Sequence, residues 1–424
     1  MESVGRVDEQ REPKGFAFLY LLANFGTYFA ILPPTLGGMS IKLQNLVGVE
    51  RAPTILGLMM GLGSLVALFT QPIIGKLSDN THSKFGMRKP WILLGTIGFL
   101  LALTAIGPVE AIFLLVPLWC LAQIFSNVVQ GSLHAVVADQ VPEHRLGFIS
   151  GLGGVAIPCA FLLSALTLNI LPTDLLRSIV PAAIGGVLCL IFILMLNDRV
   201  LTGTRSKINI GDVFRSFSFQ PLKYRDYGIT WISKAMIMFC FASIASYLTL
   251  FLASSFHMNV AQQLQFNVYT TVCSVVMMAV GSFVGGWASD RIGKRRVFVA
   301  LSGTCIGLGV LSLAVSPLIG REAGLSLVLV GQTFTGLGFG LFLSVDAALC
   351  IDVLPDPETK AKDLGVFNIA NTLPGTIAPL VAGSVVLPIG NWIAPGWGFS
   401  IWFALTGVIG VLGGAIIFKV RGVP

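Results

Sequence analysis

A chain of 424 residues would ordinarily fold as two or three soluble domains, but 54% hydrophobic and only 11% charged residues, against about 25% charged in globular chains, exclude that class. A mean hydropathy of +0.84 and 48 glycines point to the lipid bilayer as solvent, since glycine is commoner in membrane helices than in soluble ones. Collagen-like and disordered classes fail on the same numbers. The net charge of +7 leaves nucleic-acid binding to be decided by where the charges lie.

The first 14 residues, MESVGRVDEQREPK, are polar and of mixed charge, and no small-residue cleavage site follows, so they read as an N-terminal segment without a cleaved signal peptide. A helix needs about 20 apolar residues to cross a bilayer. Polar punctuation separates twelve such runs: 15–39, 52–76, 90–108, 111–138, 147–171, 176–197, 228–254, 263–288, 297–318, 323–351, 364–388 and 397–419. Pro158, Pro374 and Pro379 fall inside runs, where neighbouring helices satisfy the carbonyls they free. The seven cysteines also lie inside runs and behave as small hydrophobes. Neither a metal site nor a cofactor is expected.

Lysine and arginine orient the spans. With a cytoplasmic N-terminus, 22 of the 27 basic residues fall on inside segments and only Lys42, Arg51, Arg177 and Arg321 on outside ones, with Lys234 inside a span. An even span count then puts both termini in the cytoplasm, and the protein is expected in the cell (inner) membrane as a multi-pass chain. Its basic loops face the anionic inner leaflet. Membrane lipid, and not nucleic acid, is therefore the partner that the charge implies.

The two halves of the chain repeat each other, a feature worth finding before any motif. Gly75-Lys76-Leu77-Ser78-Asp79 returns as Gly286-Trp287-Ala288-Ser289-Asp290 after 211 residues, and Asp139-Gln140-Val141-Pro142 as Asp352-Val353-Leu354-Pro355 after 213, where half the chain is 212. The predicted organisation is an all-α membrane protein of twelve transmembrane helices in two pseudo-symmetric six-helix halves, 15–197 and 227–424. A basic, aromatic linker at 198–226 joins them and either lies on the membrane surface or forms a solvated tether.

The loops GKLSDNTHSKFGMRK and GWASDRIGKRR resemble the signature cytoplasmic loop of the major facilitator superfamily, and the resemblance covers span count, repeat and linker. The insertion Asn80–Phe85, with Lys89-Pro90-Trp91 after it, is more similar to the glycoside-pentoside-hexuronide symporters and sucrose-type carriers. VDAALCIDVLPDPETKAKDLGVFNIANTLP resembles a bacterial branch of facilitators of unassigned substrate. The resemblance implies a cytoplasmic gate in which Asp79 caps span 11 near Asp363–Gly365 and Asp290 caps span 5 near Arg145–Gly147. Arg88, Lys89, Asp139, Arg291, Lys294, Arg295, Arg296 and Asp352 would complete the charge network. The basic members equally suit a role as topology determinants alone; the aspartates, which topology does not require, favour the gate.

An ionisable group within a span costs about 2.5–3.5 kcal/mol to insert and is read as functional by default. Three lie well inside: His134, Lys234 and Asp346. At about 1.5 Å per residue, Lys234 and Asp346 lie at a similar depth of about 9 Å and are able to pair. Asp346 is the candidate proton acceptor, its protonation releasing Lys234; the pair also suits a purely structural role. His134 ranks second as a proton relay, against a packing role. Neutral groups on the candidate cavity helices are Asn24, Tyr28, Gln123, Asn127, Gln130, Gln332, Asn368 and Asn371. Such amides and aromatics suit a polyhydroxylated solute, although any single one also serves as an interhelical hydrogen bond.

Two departures from the family pattern narrow the function. Residues 54–74 hold no acidic side chain, unlike the sodium-coupled sugar symporters, and Gly153-Gly154 before Pro158 do not reproduce the drug-antiporter signature. The expected function is secondary transport of a small polar solute, a sugar or glycoside, by alternating access with proton coupling, carried out by a monomer. Proton-linked efflux of amphipathic compounds and a non-transporting sensor of the same fold are the alternatives. An enzyme is not expected, since no nucleophile, base or ligand cluster stands at workable spacing.

Overall fold

The computed structural model describes residues 15–198, 200, 224–354 and 360–421. The N-terminal segment, nearly all of the linker at 198–226 and the side chains around Asp363 and Gly147 lie outside the described residues. The rest is almost wholly helical: α1 Phe16–Pro33, α2 Met39–Asp79, α3 Lys89–Ile106, α4 Ile112–Gln140, α5 Glu143–Ile170 and α6 Asp174–Met195, followed by α7 Arg225–Phe256, α8 Val260–Ile292, α9 Arg295–Val315, α10 Arg321–Asp352, α11 Lys360–Val381 and α12 Gly398–Ile416. A π-helical turn, Ala382–Val386, and a short helix, Leu387–Ile393, prolong α11.

Among the described residues, 11 helical stretches are long and apolar enough to cross a membrane, the first extending over 64 residues, Phe16–Asp79. At 1.5 Å per residue that stretch would extend about 96 Å, three times a hydrocarbon core of about 30 Å. It is two spans, joined through the π-helical turn Pro34–Gly38 and a break at Gly48, whose φ of 80° is the left-handed conformation open to glycine. Among the described residues the count is therefore twelve.

The polar segment 40–51, expected from sequence to be a loop, is largely helical. Tertiary contacts hold it there: Ile41 packs with Leu168 and Leu264 in a small dry core, and Gln44 and Gln263 exchange reciprocal amide hydrogen bonds at 3.1 Å. Elsewhere the ends follow local chemistry. Thr173 accepts from the Leu176 amide to start α6, Asn259 and Gln262 form a capping box at α8, and Gly293, at φ 70°, stops α8.

The described residues group into two compact units: residues 15–33, 69–164, 173–198 and 200, and residues 34–68, 165–172, 224–354 and 360–421. Within the first, α1 packs on α6 and α4, and α3 on α4 and α6. Within the second, α7 packs on α12 and α10, and α9 on α10 and α12. Adding six to each helix number converts the first set of contacts into the second, so the repeat seen in the sequence is also a repeat of packing. Residues 34–68, the π-helical turn Pro34–Gly38 and the first part of α2, belong to the second unit, where they meet α7 and α11.

Candidate functional site

The loop between α2 and α3 is organised by one buried guanidinium. Arg88 donates from Nη2 to Asp79 Oδ1 at 2.6 Å, from Nε to Asp139 Oδ2 at 2.9 Å, and from Nη1 to the Ser78 hydroxyl. Burial opposes its charge, but the bonds to Asp139 and then Asp79 outweigh it and hold the group above its ordinary value. The motif at the end of α2 is thereby tied to the end of α4 in the same unit.

In the second unit the same wiring recurs, with Arg295 paired to Asp352 at the end of α10. Its surroundings differ. Asp290 is exposed and, among the described residues, forms no hydrogen bond or ion pair, whereas Asp79 is held by Arg88. Arg291 stacks 5.5 Å from the Trp287 ring, Arg145 lies 5.6 Å from the Phe148 ring, and Arg296 donates to the Val420 carbonyl.

Sequence reading missed Asp198. Its Oδ2 accepts from the backbone amides of Arg88 at 2.7 Å and Lys89 at 2.8 Å, capping α3 from a point just past α6. Gly86, at φ 105°, makes room, since a Cβ there would lie 2.2 Å from the same carboxylate oxygen. Asp198→Ala is expected to cost about 1 kcal/mol, the worth of a cap. Thermal unfolding in detergent checks it, and an unchanged midpoint would refute the capping role.

The predicted ion pair forms. Lys234 Nζ of α7 donates to Asp346 Oδ2 of α10 at 2.6 Å, with side chains only 6% and 16% exposed. Two further groups surround it: Cys350 Sγ, 3.7 Å from both Lys234 Nζ and Asp346 Oδ1, and the Phe367 ring of α11, 5.7 Å from the ammonium. Cys350 lies one helical turn past Asp346, a relation the i, i+4 spacing exposes. Phe367 carries no such signal. His134 is exposed on α4 and, among the described residues, has no partner.

The predicted amides divide. In the first unit Gln130 donates to Asn24 at 3.3 Å and Asn24 to Tyr20 at 3.3 Å, while Asn127 bonds to Gln71 at 2.8 Å and to the Gln123 carbonyl at 2.8 Å. Tyr28 is half-buried near this set. In the second unit Gln332 is buried, whereas Asn368 and Asn371 are exposed. Gln130 Oε1 and Gln332 Nε2 are buried atoms without a hydrogen-bond partner. Unsatisfied polar atoms of this kind call for an explanation such as a ligand.

A third arrangement was not visible from sequence. In the second unit α2 crosses α11 at backbone contact: a Cβ on Gly57 would fall 2.3 Å from the Pro379 carbonyl oxygen, and one on Gly383 2.5 Å from that of Pro53. The Tyr247 hydroxyl of α7, fully buried, lies 2.8 Å from the Pro379 oxygen and 3.2 Å from the Pro53 oxygen. Thr54 adds a bond to the Gly383 carbonyl at 2.9 Å.

Twelve apolar helices in a duplicated pattern, with buried charges inside the spans, define a polytopic membrane protein of the transporter class. The chain belongs to the Major Facilitator Superfamily, whose family model matches residues 15–269 and 230–423. It is 24% identical over 389 residues, 90% of this chain and 91% of the relative, to an uncharacterized MFS-type transporter of Methanocaldococcus jannaschii. A shorter match, 39% over 71 residues, covers 17% of this chain and 11% of a lactose permease of Lactobacillus helveticus. Another, 26% over 138 residues, covers 32% of this chain and 24% of a multidrug transporter of Aspergillus fumigatus. Among solved structures, an inward-facing bacterial homologue of the human lysosomal transporter Spinster superposes with a TM-score of 0.74 at 13% identity, covering 96% of this chain and 97% of that one. The nucleoside transporter NupG gives 0.72 at 14%, covering 95% and 100%. These structural likenesses establish the fold. The protein is a membrane transporter and not an enzyme.

Proposed function

We propose that the protein carries a small polar solute, a sugar or glycoside, by alternating access, and that the Lys234–Asp346 pair couples this movement to protons. The buried pair carries the reading: a carboxylate and an ammonium at 2.6 Å inside a membrane span are costly to place there and default to a functional role. A proton taken up at Asp346 cancels the carboxylate charge and frees Lys234, which keeps its contacts with Cys350 and the Phe367 ring. The amides Asn24 and Gln130, with the unpartnered Gln130 Oε1, supply donors and acceptors suited to hydroxyl groups. The partial match to a lactose permease supports that solute class.

The tied loops at Arg88 and Arg295 serve this cycle as a cytoplasmic gate, and the 22 basic residues on one set of loops favour a cell membrane location with both termini inside. The working unit is the monomer.

Solute-driven pH changes in proteoliposomes test the proposal, using a panel of disaccharides, glycosides, pentoses, hexuronides and lipophilic cations. Alkalinisation outside on adding one sugar class is the expected result. Response to lipophilic cations alone would replace it with proton-linked efflux, the reading favoured by the multidrug transporter match. Binding without counterflow would make the protein a sensor.

A further inference from the structure

The second unit holds a cavity of about 890 Å³, lined by residues from the start of α2, the end of α7 and the segment after α11. These helix ends lie opposite the basic loops, and the lining includes Pro53 and Thr54, members of the α2–α11 crossing. Pro388, Leu387 and Phe399 form apolar walls. The volume falls within the range of about 300–1,000 Å³ typical of small-molecule sites.

Its charges are unusual in being unspent. Glu50 and Arg51 both line the cavity, and among the described residues neither side chain takes part in a hydrogen bond or ion pair. Helix geometry explains why they do not neutralise each other: neighbours i and i+1 point about 100° apart and do not face one another. Asn391 spends its Oδ1 on the Gly398 amide at 3.0 Å, which leaves its Nδ2 donors available. His257 is the remaining titratable group on the lining.

One carboxylate, one guanidinium and an apolar wall in a single cavity fit a ligand that carries both charges and an apolar body. We propose that this cavity binds a zwitterion, an α-amino acid with an apolar side chain. Arg51 takes the ligand carboxylate through its planar fork, Glu50 accepts from the ammonium, and Pro388 and Phe399 receive the side chain. The site is separate from the amides and the ion pair of the proposed transport cycle.

The test uses the full chain in zwitterionic-lipid nanodiscs, titrated with phenylalanine, phenylpropionate and phenylethylamine while tryptophan fluorescence is followed. Trp392 and Trp397 stand beside Asn391 and are exposed, so they report on the cavity. Saturable quenching by phenylalanine is expected, with phenylpropionate and phenylethylamine each at least about tenfold weaker, a difference of about 1.4 kcal/mol. Arg51→Gln and Glu50→Gln should each weaken phenylalanine to a similar degree, and both residues are exposed, so the variants should fold. Equal binding of all three probes, unchanged affinity in both variants, or quenching that survives Trp392→Phe with Trp397→Phe would each overturn the assignment. The readout is binding, so it stands or falls independently of the flux panel.

Discussion

Asp346→Asn is expected to abolish solute-driven proton movement and to destabilise the protein, and a double variant separates the two effects. Removing the carboxylate strands the Lys234 ammonium, 6% exposed, with a thiol at 3.7 Å and an aromatic face at 5.7 Å. Leaving one member of a buried pair uncompensated costs about 3–5 kcal/mol, whereas replacing both members with apolar residues of similar volume is often neutral. Lys234→Met with Asp346→Leu should therefore recover thermal stability. If the pair couples transport to protons, the recovered protein still lacks the pH response, with proton-linked flux lower by about 100-fold, or about 2.7 kcal/mol. Cys350→Ala should leave that flux within about twofold, since a thiol at 3.7 Å is a weak partner. A double variant that regains both stability and flux would reduce the pair to packing.

Gly57→Val is the second large effect. A Cβ on Gly57 meets the Pro379 oxygen at 2.3 Å, the Tyr247 hydroxyl at 2.6 Å and the Gly383 Cα at 3.1 Å. Carbon–oxygen contacts settle near about 3.3–3.6 Å, so α2 and α11 must part by about 1 Å before branching adds more. Backbone atoms cannot rotate away as a side chain would. Overpacking of this kind costs about 1–3 kcal/mol, below the about 5–15 kcal/mol that keeps a protein folded, and the expected outcome is a folded protein with the crossing held open. Ala382→Cys, on a residue that is fully buried in the native chain, reports this in a background without other cysteines. A membrane-impermeant maleimide should label it much faster once Gly57→Val is added, and solute flux should fall. Tyr247→Phe removes a single hydroxyl, about 1 kcal/mol, and should show the same change more weakly. Unaltered labelling in a folded Gly57→Val protein would mean that the crossing yields elsewhere.

The spans were legible because apolar runs of bilayer length need no tertiary partner to be recognised. Lys234 and Asp346 were legible as a pair for a related reason: rise per residue converts position along a span into depth, and the two depths agree. The match at 2.6 Å rests on that arithmetic plus the adjacency of α7 and α10. Asp198 carried no such signal. It reaches the amides of Arg88 and Lys89, 110 and 109 residues away in sequence, and an aspartate just past a span reads as ordinary loop charge. The helical state of residues 40–51 was misread on the same ground, because Lys42 and Gln44 lower the hydropathy of a segment that Leu168, Leu264 and Gln263 hold from outside.

The sequence by itself determined the solvent, the number of spans, the sign of the loops and the duplication, since each is a sum or a spacing along one chain. The tertiary structure alone decided which groups meet. Arg88 reaching both Asp79 and Asp139, the Pro53–Gly57 turn of α2 interlocking with Pro379–Gly383 of α11 under Tyr247, and Glu50 and Arg51 sharing a cavity with Asn391 all join residues from different helices. In a bilayer, lipid tails are as apolar as leucine, so helix neighbours are chosen by close packing and by the few polar contacts available. Those choices depend on shape in three dimensions, which a one-dimensional pattern of hydropathy does not contain.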